Sequence, residues 1–283
     1  MGSSGKATSR RTTAGGFLSG AGASGGGVGP ASSNLQPNVT ITPANQNNPN
    51  VQNQVPNTQN TPVTQSAVTQ LTQMSDDELA ALVNASKKAQ MPNHLADYPS
   101  QTQKFVFQAG VNEQPTVLNS TDFKQFMKDN NISQREVLSR SVNNASYTNQ
   151  QGYTVRYTGD QINNMLKHSR LNYIGGKQGG RAYGEGAYFD MRGGGSTGYG
   201  ANTIEAVLNP KTAKVIQYNQ AYAKARTFAQ THPKFARAVG TISDSNISVY
   251  ALAMGYNVIS EYSPSSKQGY HCVIDRKALV IRE

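Results

Sequence analysis

A break in composition near residue 74 decides how much of this chain can fold. The first 73 residues hold three basic and no acidic residues, one phenylalanine and no tyrosine, and are filled by Gly, Ser, Thr, Asn, Gln and Pro. Such a stretch buries too little apolar surface to offset its ordering entropy, so it is expected to stay disordered. It divides into a Gly/Ser/Ala run around "GGFLSGAGASGGGVGP" and an Asn/Gln/Pro/Thr run, "NVTITPANQNNPNVQNQVPNTQNTPVTQ". Both read as tether, the second more extended than the first. The domain expectation is therefore a disordered arm over 1–74, a helix and linker over 75–96, and a folded domain over 97–283.

No stretch approaches the roughly 20 apolar residues of a membrane span, and the start lacks a signal peptide's apolar run, so the chain is expected to be soluble. Its single cysteine, Cys272, and four scattered histidines make neither a disulfide nor a metal motif. The formal net charge is +10. The basic residues are spread singly, which favours a nucleotide-phosphate site plus general surface charge over a nucleic-acid interface, a reading that would rest on net charge alone.

Element signals begin at "MSDDELAALVNASKKAQ", a helix with Ser75 as N-cap, acids in its first turn and lysines near its end. "STDFKQFMKDNN" predicts a second helix capped by Ser120, and "TGDQINNMLKHS" a short one capped by Thr158. "EVLSRSV", "AYFD", "TIEAVLN", "KVIQY", "NVISEY" and "YHCVIDRKALVI" are strand candidates, rich in Val, Ile and Tyr. Between them lie the helical "YNQAYAKARTFAQTHPKFARAVG" and "NISVYALAMG", the latter stopped by Gly255. Without a regular βαβ rhythm, the pattern is α+β.

The segment "GEGAYFDMRGGGSTGYG", residues 184–200, carries the chemistry. Gly184 and Gly186 flank Glu185 before a strand fragment, which lets backbone come close on either side. A solvated linker would seldom keep Tyr188, Phe189 and Tyr199 together. No Gly-Lys-Ser/Thr follows, which excludes a P-loop, and the run does not follow a strand and open a helix as a dinucleotide fingerprint does. Taken singly, Arg140 suits a surface ion pair, Ser196 a turn, Tyr188 a core position, Glu261 a solvated strand end and Cys272 a buried small hydrophobe.

Together these residues resemble the ADP-ribosyltransferase superfamily, which includes the poly(ADP-ribose) polymerases and the bacterial and phage mono-ADP-ribosyltransferases. The Tyr188 to Tyr199 interval, with Ser196 three before the second tyrosine, is similar to the family's central motif. "EVLSRSV" resembles the first-strand motif of the arginine-type branch, an apolar strand ending in Arg140 with a small residue, Ser141, after it. "ALAMGYNVI … YHCVIDRKALVI" resembles the final strands, and the likeness covers about residues 98–283.

The resemblance implies two small antiparallel or mixed sheets, split apart, with flanking helices. It implies NAD as co-substrate and no metal, with a cation at Arg140 for the diphosphate or ribose and a hydroxyl at Ser196. Ser141, Gly184, Gly186, Tyr188, Phe189 and Tyr199 would line the cofactor site. Losing nicotinamide develops positive charge on the ribose, which a carboxylate stabilises. The family's glutamate position falls here on Gly269. Glu261 is the nearest acid and the expected catalytic carboxylate, with Glu185 and Glu283 as alternatives.

The functional expectation is an NAD-dependent mono-ADP-ribosyltransferase of host proteins. It would be phage-encoded, found in the virion or the bacterial host cytoplasm, and its arm would dock on other virion proteins. The rival expectation is a catalytically inactive transferase-like domain in a structural virion or scaffold protein.

Overall fold

In the computed structural model the described residues are 66–89, 100–111, 113–148, 154–168, 184–191, 202–263 and 268–283. The chain enters through two helices, α1 (Ala67–Leu71) and α2 (Asp76–Lys88), the second closed by a reciprocal capping box between Ser75 and Glu78. Helix α3 (Gln101–Gln108) has a second such box between Ser100 and Gln103. Strand β1 (Thr116–Leu118) and helix α4 (Ser120–Asp129) follow. The cap of α4 is Asn119, not the expected Ser120: its side-chain oxygen accepts from the amides of Thr121 and Asp122, which leaves Ser120 as the first helical residue.

Next come β2 (Leu138–Val142) and a hairpin of β3 (Ala145–Thr148) and β4 (Thr154–Tyr157). Helix α5 (Gly159–His168) follows, where Thr158 Oγ1 accepts from the Gln161 amide as its cap residue type predicts. Strands β5 (Ala187–Asp190), β6 (Asn202–Leu208) and β7 (Val215–Gln217) precede helices α6 (Tyr218–Thr231), α7 (Pro233–Val239) and α8 (Ile247–Ala253). The expected single helical stretch breaks at Pro233, which has no amide to continue α6 and instead opens α7. The chain ends with β8 (Val258–Ser263), β9 (Gln268–Val273) and β10 (Leu279–Arg282); a 3-10 turn at Arg276–Ala278 interrupts what reads in sequence as one strand.

The architecture is α+β, as composition and periodicity suggest. In place of two separate small sheets, eight strands form one mixed sheet in the order β1-β10-β6-β2-β5-β9-β8-β7. Only the edge pairs β1/β10 and β7/β8 are parallel. Its two four-stranded halves meet at β2 and β5, where among the described residues Ser139 and Asp190 are the one register pair. Toward Arg140 the two central strands part.

Helices cover both faces. On one, α1, α2, α3, α6, α7 and α8 enclose a core that includes Phe105, Phe235, Tyr250, Ile259 and Cys272. All seven residues of α8 are buried, which makes it the centre of that layer. On the other face Leu166 of α5 packs with Leu138, Phe189, Ile204 and Val273. Val68, Leu71, Leu79 and Val83 of α1 and α2 belong to the first core, so the folded unit begins before residue 75. All described elements lie within one compact unit, Asn60–Glu283.

Helix α2 is tied down by its first turn. The Asp76 carboxylate accepts from the backbone amides of Lys234 (3.0 Å) and Phe235 (2.8 Å), satisfying two N-terminal donors of α7. Asp77 pairs with the exposed Lys234 ammonium at 2.6 Å. Because the first carboxylate caps backbone and the second only meets a solvated charge, Asp76→Ala is expected to lower the melting temperature and Asp77→Ala to leave it within error. Thermal unfolding of the two variants checks this; equal shifts would refute it.

Candidate active site

The glycine-flanked turn before β5 is a shaped, packed piece of chain. Gly184 has φ of +106°, and a Cβ there would stand 2.6 Å from Ser248 Oγ. A Cβ on Gly186 would stand 2.6 Å from the Val273 carbonyl oxygen and 2.7 Å from Cys272 Sγ. Only glycine lets the chain pass here between the start of α8 and the end of β9. Two hydrogen bonds close the turn: the Glu185 amide donates to Ser248 Oγ at 2.8 Å, and the Tyr188 hydroxyl donates to the Gly184 carbonyl at 2.6 Å.

Arg140 stands on β2 where that strand leaves β5, and is only 9% exposed. Its Nη1 donates at 3.1 Å to the Tyr188 carbonyl, so the guanidinium bridges the two parting strands. Ser141, next along β2, shares a 2.7 Å hydroxyl bond with Thr203 of β6. Phe189 is wholly enclosed in the core beneath, where its ring serves packing.

Cys272 is buried on β9, in register with Tyr188 of β5 and Ile259 of β8. Burial pushes its thiol up to about 12; hydrogen bonds from the Tyr188 and Ser248 side lower it, as does the charge of Arg140, while Glu185 raises it. Arg140 and Glu185 therefore act on the same sulfur from opposite signs. Glu185 itself is 6% exposed, a buried carboxylate within the turn.

Glu261 is placed elsewhere. Cross-strand register puts Ser139, Asp190, Tyr270 and Glu261 in one row, and neighbours in register share a face of the sheet. Arg140, one residue beyond Ser139, is on the opposite face. The Glu261 carboxylate lies instead on the α6 side, where burial first, then the hydrogen bond to Asp244, and also the Glu261 charge raise the Tyr218 phenol. Tyr218 and Tyr222 both donate to Asp244, at 2.7 and 2.5 Å. Glu283 follows β10, and its amide donates to the Leu118 carbonyl on the outer edge of the sheet.

Ser196 and Tyr199 lie outside the described residues. Of the sequence-derived candidates, the structure links Arg140, Tyr188 and Gly184 through hydrogen bonds beside Glu185 and Gly186, and puts Glu261 on the face of the sheet opposite Arg140. Comparison with protein-family models, curated proteins and solved structures yields no match. The function must therefore be argued from the site itself.

Among the described residues no cluster of His, Cys, Asp or Glu could hold a metal ion, and no helix is long and apolar enough to cross a membrane. One group at the site escaped the sequence reading. His271 of β9 pairs with Phe189 of β5 and Ser260 of β8, on the same face as Arg140. It is 8% exposed, and its Nδ1 has no hydrogen-bond partner among the described residues. Burial lowers its imidazole to about 4. The available signal was the alternation of "QGYHCV", which sets His271 apart from its apolar-face neighbours only once strand pairing is known.

Proposed function

We propose that the chain is an NAD-dependent mono-ADP-ribosyltransferase, with Arg140 anchoring the dinucleotide where β2 and β5 part and Glu185 supplying the carboxylate. The observation that carries this reading is the junction itself: the nearly buried Arg140 donates to the Tyr188 carbonyl, and the Tyr188 hydroxyl closes the glycine turn that holds the buried Glu185. A guanidinium is suited to a diphosphate because its planar donors match anionic oxygens in pairs. The finer likeness to the split sheets of the transferase superfamily is part of this proposal.

In the reaction the bond between ribose C1′ and the nicotinamide ring nitrogen breaks, and its electron pair leaves with nicotinamide. An acceptor nucleophile bonds to C1′ and gives up its proton. Positive charge builds on the ribose in between, and a carboxylate held out of water stabilises that charge more strongly than one in solvent. Glu185 is the acid so placed, while Glu261 stands across the sheet. Host proteins as acceptors, and a place in the virion or the bacterial cytoplasm, extend the same reading.

The test is incubation of the full chain with labelled NAD and bacterial lysate, following protein labelling and nicotinamide release. Arg140→Ala and Glu185→Gln are expected to lose at least about 100-fold in both, and Glu261→Ala to keep activity within a few fold. Circular dichroism establishes that each variant is folded. Folded wild type that neither labels protein nor releases nicotinamide overturns the proposal in favour of an inactive transferase-like domain in a virion or scaffold protein. The position of Glu261 opposite Arg140 favours that second reading.

A further inference from the structure

We propose that Ser248 is a positioning residue for Glu185: its hydroxyl, together with that of Tyr188, clamps the Gly184–Glu185 peptide plane and so fixes where the carboxylate points. This rests on the transferase reading given above, in which Glu185 meets the positive charge that develops on the ribose.

The two hydrogen bonds that close the glycine turn belong to one peptide group. The carbonyl of Gly184 accepts from the Tyr188 hydroxyl at 2.6 Å, and the amide of Glu185, at the other end of the same plane, donates to Ser248 Oγ at 2.8 Å. A peptide plane next to glycine rotates readily, because no Cβ on that side resists it. Here rotation would break both bonds at once inside a buried turn, where unpaired polar groups are costly. On the other side of Glu185 the chain is held by packing, since a Cβ on Gly186 would stand 2.6 Å from the Val273 carbonyl oxygen. Glu185 is thus fixed by hydrogen bonds before its Cα and by close contact after it.

The residue that supplies the clamp runs against its surroundings. Helix α8 reads Ile-Ser-Val-Tyr-Ala-Leu-Ala, and all seven residues are buried. A hydroxyl enclosed in that layer is costly unless it is hydrogen-bonded, and alanine would sit there without that demand. Ser248 directs its hydroxyl to a residue 63 positions away in the chain. Gly184 is fitted to it: φ is +106°, and a Cβ there would stand 2.6 Å from the serine Oγ. Because α8 is wholly enclosed, the clamp ties the turn to a rigid element, which is what a precisely aimed side chain requires.

Arg140 is held differently. Its Nη1 donates to the Tyr188 carbonyl, within β5, so loss of the Ser248 hydroxyl leaves that bond in place. An arginine that anchors the dinucleotide acts in the ground state and the transition state alike, whereas the carboxylate acts on charge present only in the transition state. Losing the clamp should therefore lower kcat and spare KM.

The test is steady-state release of nicotinamide from NAD by the full chain, with dialysed bacterial lysate as acceptor. Wild type is compared with Ser248→Ala, Ser248→Cys and Thr102→Val. Thr102 controls for stability alone: it is fully buried on α3, and its hydroxyl donates to the Ser245 carbonyl at 3.2 Å. Ser248→Ala is expected to lose about tenfold in kcat, the effect of one lost hydrogen bond, with KM for NAD within about twofold of wild type. Ser248→Cys, which keeps the volume and a weak acceptor, should lie between the two, and Thr102→Val should keep the wild-type kcat.

Unchanged kcat in both Ser248 variants overturns the inference, as does a loss confined to KM or an equal loss of kcat in Thr102→Val. If the alanine variant does not fold, the cysteine variant decides by the same criteria. An active wild type with indifferent Ser248 variants leaves the transferase reading standing. Folded wild type that releases no nicotinamide removes the reaction itself, and both fail together.

Discussion

Gly186→Ala is expected to destabilise the protein by about 3 kcal/mol or more, enough to leave a marginally stable domain largely unfolded at 37 °C. The new Cβ would sit 2.6 Å from the Val273 carbonyl oxygen and 2.7 Å from Cys272 Sγ, distances that no real Cβ contact reaches. Neither obstacle is the far end of a flexible side chain. Val273 and Cys272 are in β9, which is hydrogen-bonded on both sides, to β5 and β8. Relief therefore requires β5 to move away from β9, with which it pairs from Ala187 to Asp190.

Two comparisons make the prediction specific. Gly110→Ala, at φ of +68° with nothing within 4 Å, meets only backbone strain and should lose about 1 kcal/mol. Cys272→Ala combined with Gly186→Ala removes the sulfur but keeps the carbonyl, so it should not restore stability. Urea unfolding midpoints of the three variants decide the matter. A Gly186→Ala protein as stable as Gly110→Ala would show that β5 is free to move, and with it that the turn is not the rigid support the site requires.

The same turn shows what could be read from sequence and what could not. Glycines flanking a single acid before an aromatic strand signalled close backbone approach, and the approach is there, against Ser248 and β9. Local signals of this kind, including the Ser75 capping box and the stop at Gly255, act over a few residues and survive folding. Helix α3 has no such periodic signal: its apolar residues, Phe105, Val106 and Phe107, are consecutive, and only its Ser100–Gln103 capping box marks a helix start.

Long-range facts were hidden for a different reason. Whether Glu261 and Arg140 share a face depends on the register of β2 with β5, β5 with β9 and β9 with β8 taken together. One residue of slip in any of those pairings reverses the answer, and no local pattern fixes it. The nearest acid in sequence thus stands across the sheet. Glu185, set by the turn that glycine makes possible, is joined to Arg140 through Tyr188, whose carbonyl accepts from Arg140 and whose hydroxyl donates to Gly184.

His271 and Asp275 are expected to give the stability curve two opposing slopes that nearly cancel between about pH 4 and 6. Burial holds the His271 imidazole at about 4, against 6.5 when exposed. Between those values the unfolded chain binds a proton that the native protein refuses, so this contribution is complete above pH 6.5 and is lost as pH falls toward 4. Asp275 behaves in the opposite way. Burial is the largest influence on it and, outweighing the bond from the Lys277 amide, raises its carboxyl to about 6 from 3.8. Its native proton is held where the unfolded chain has released it, so that contribution is complete below pH 3.8 and is lost as pH rises through 6.

Both side chains are more than nine-tenths buried, and each shift corresponds to a swing on the order of 3 kcal/mol. Wild-type stability should therefore change little across the shared window. In Asp275→Asn, whose amide oxygen can still accept from the Lys277 backbone, the histidine slope is exposed and stability should climb steadily from pH 4.5 to 6.5. In His271→Gln the aspartate slope is exposed and stability should fall over the same range. Urea unfolding at half-unit pH intervals measures all three curves. Parallel curves would mean that one of the groups is hydrated in the native protein, and a missing slope in Asp275→Asn would place water at the imidazole.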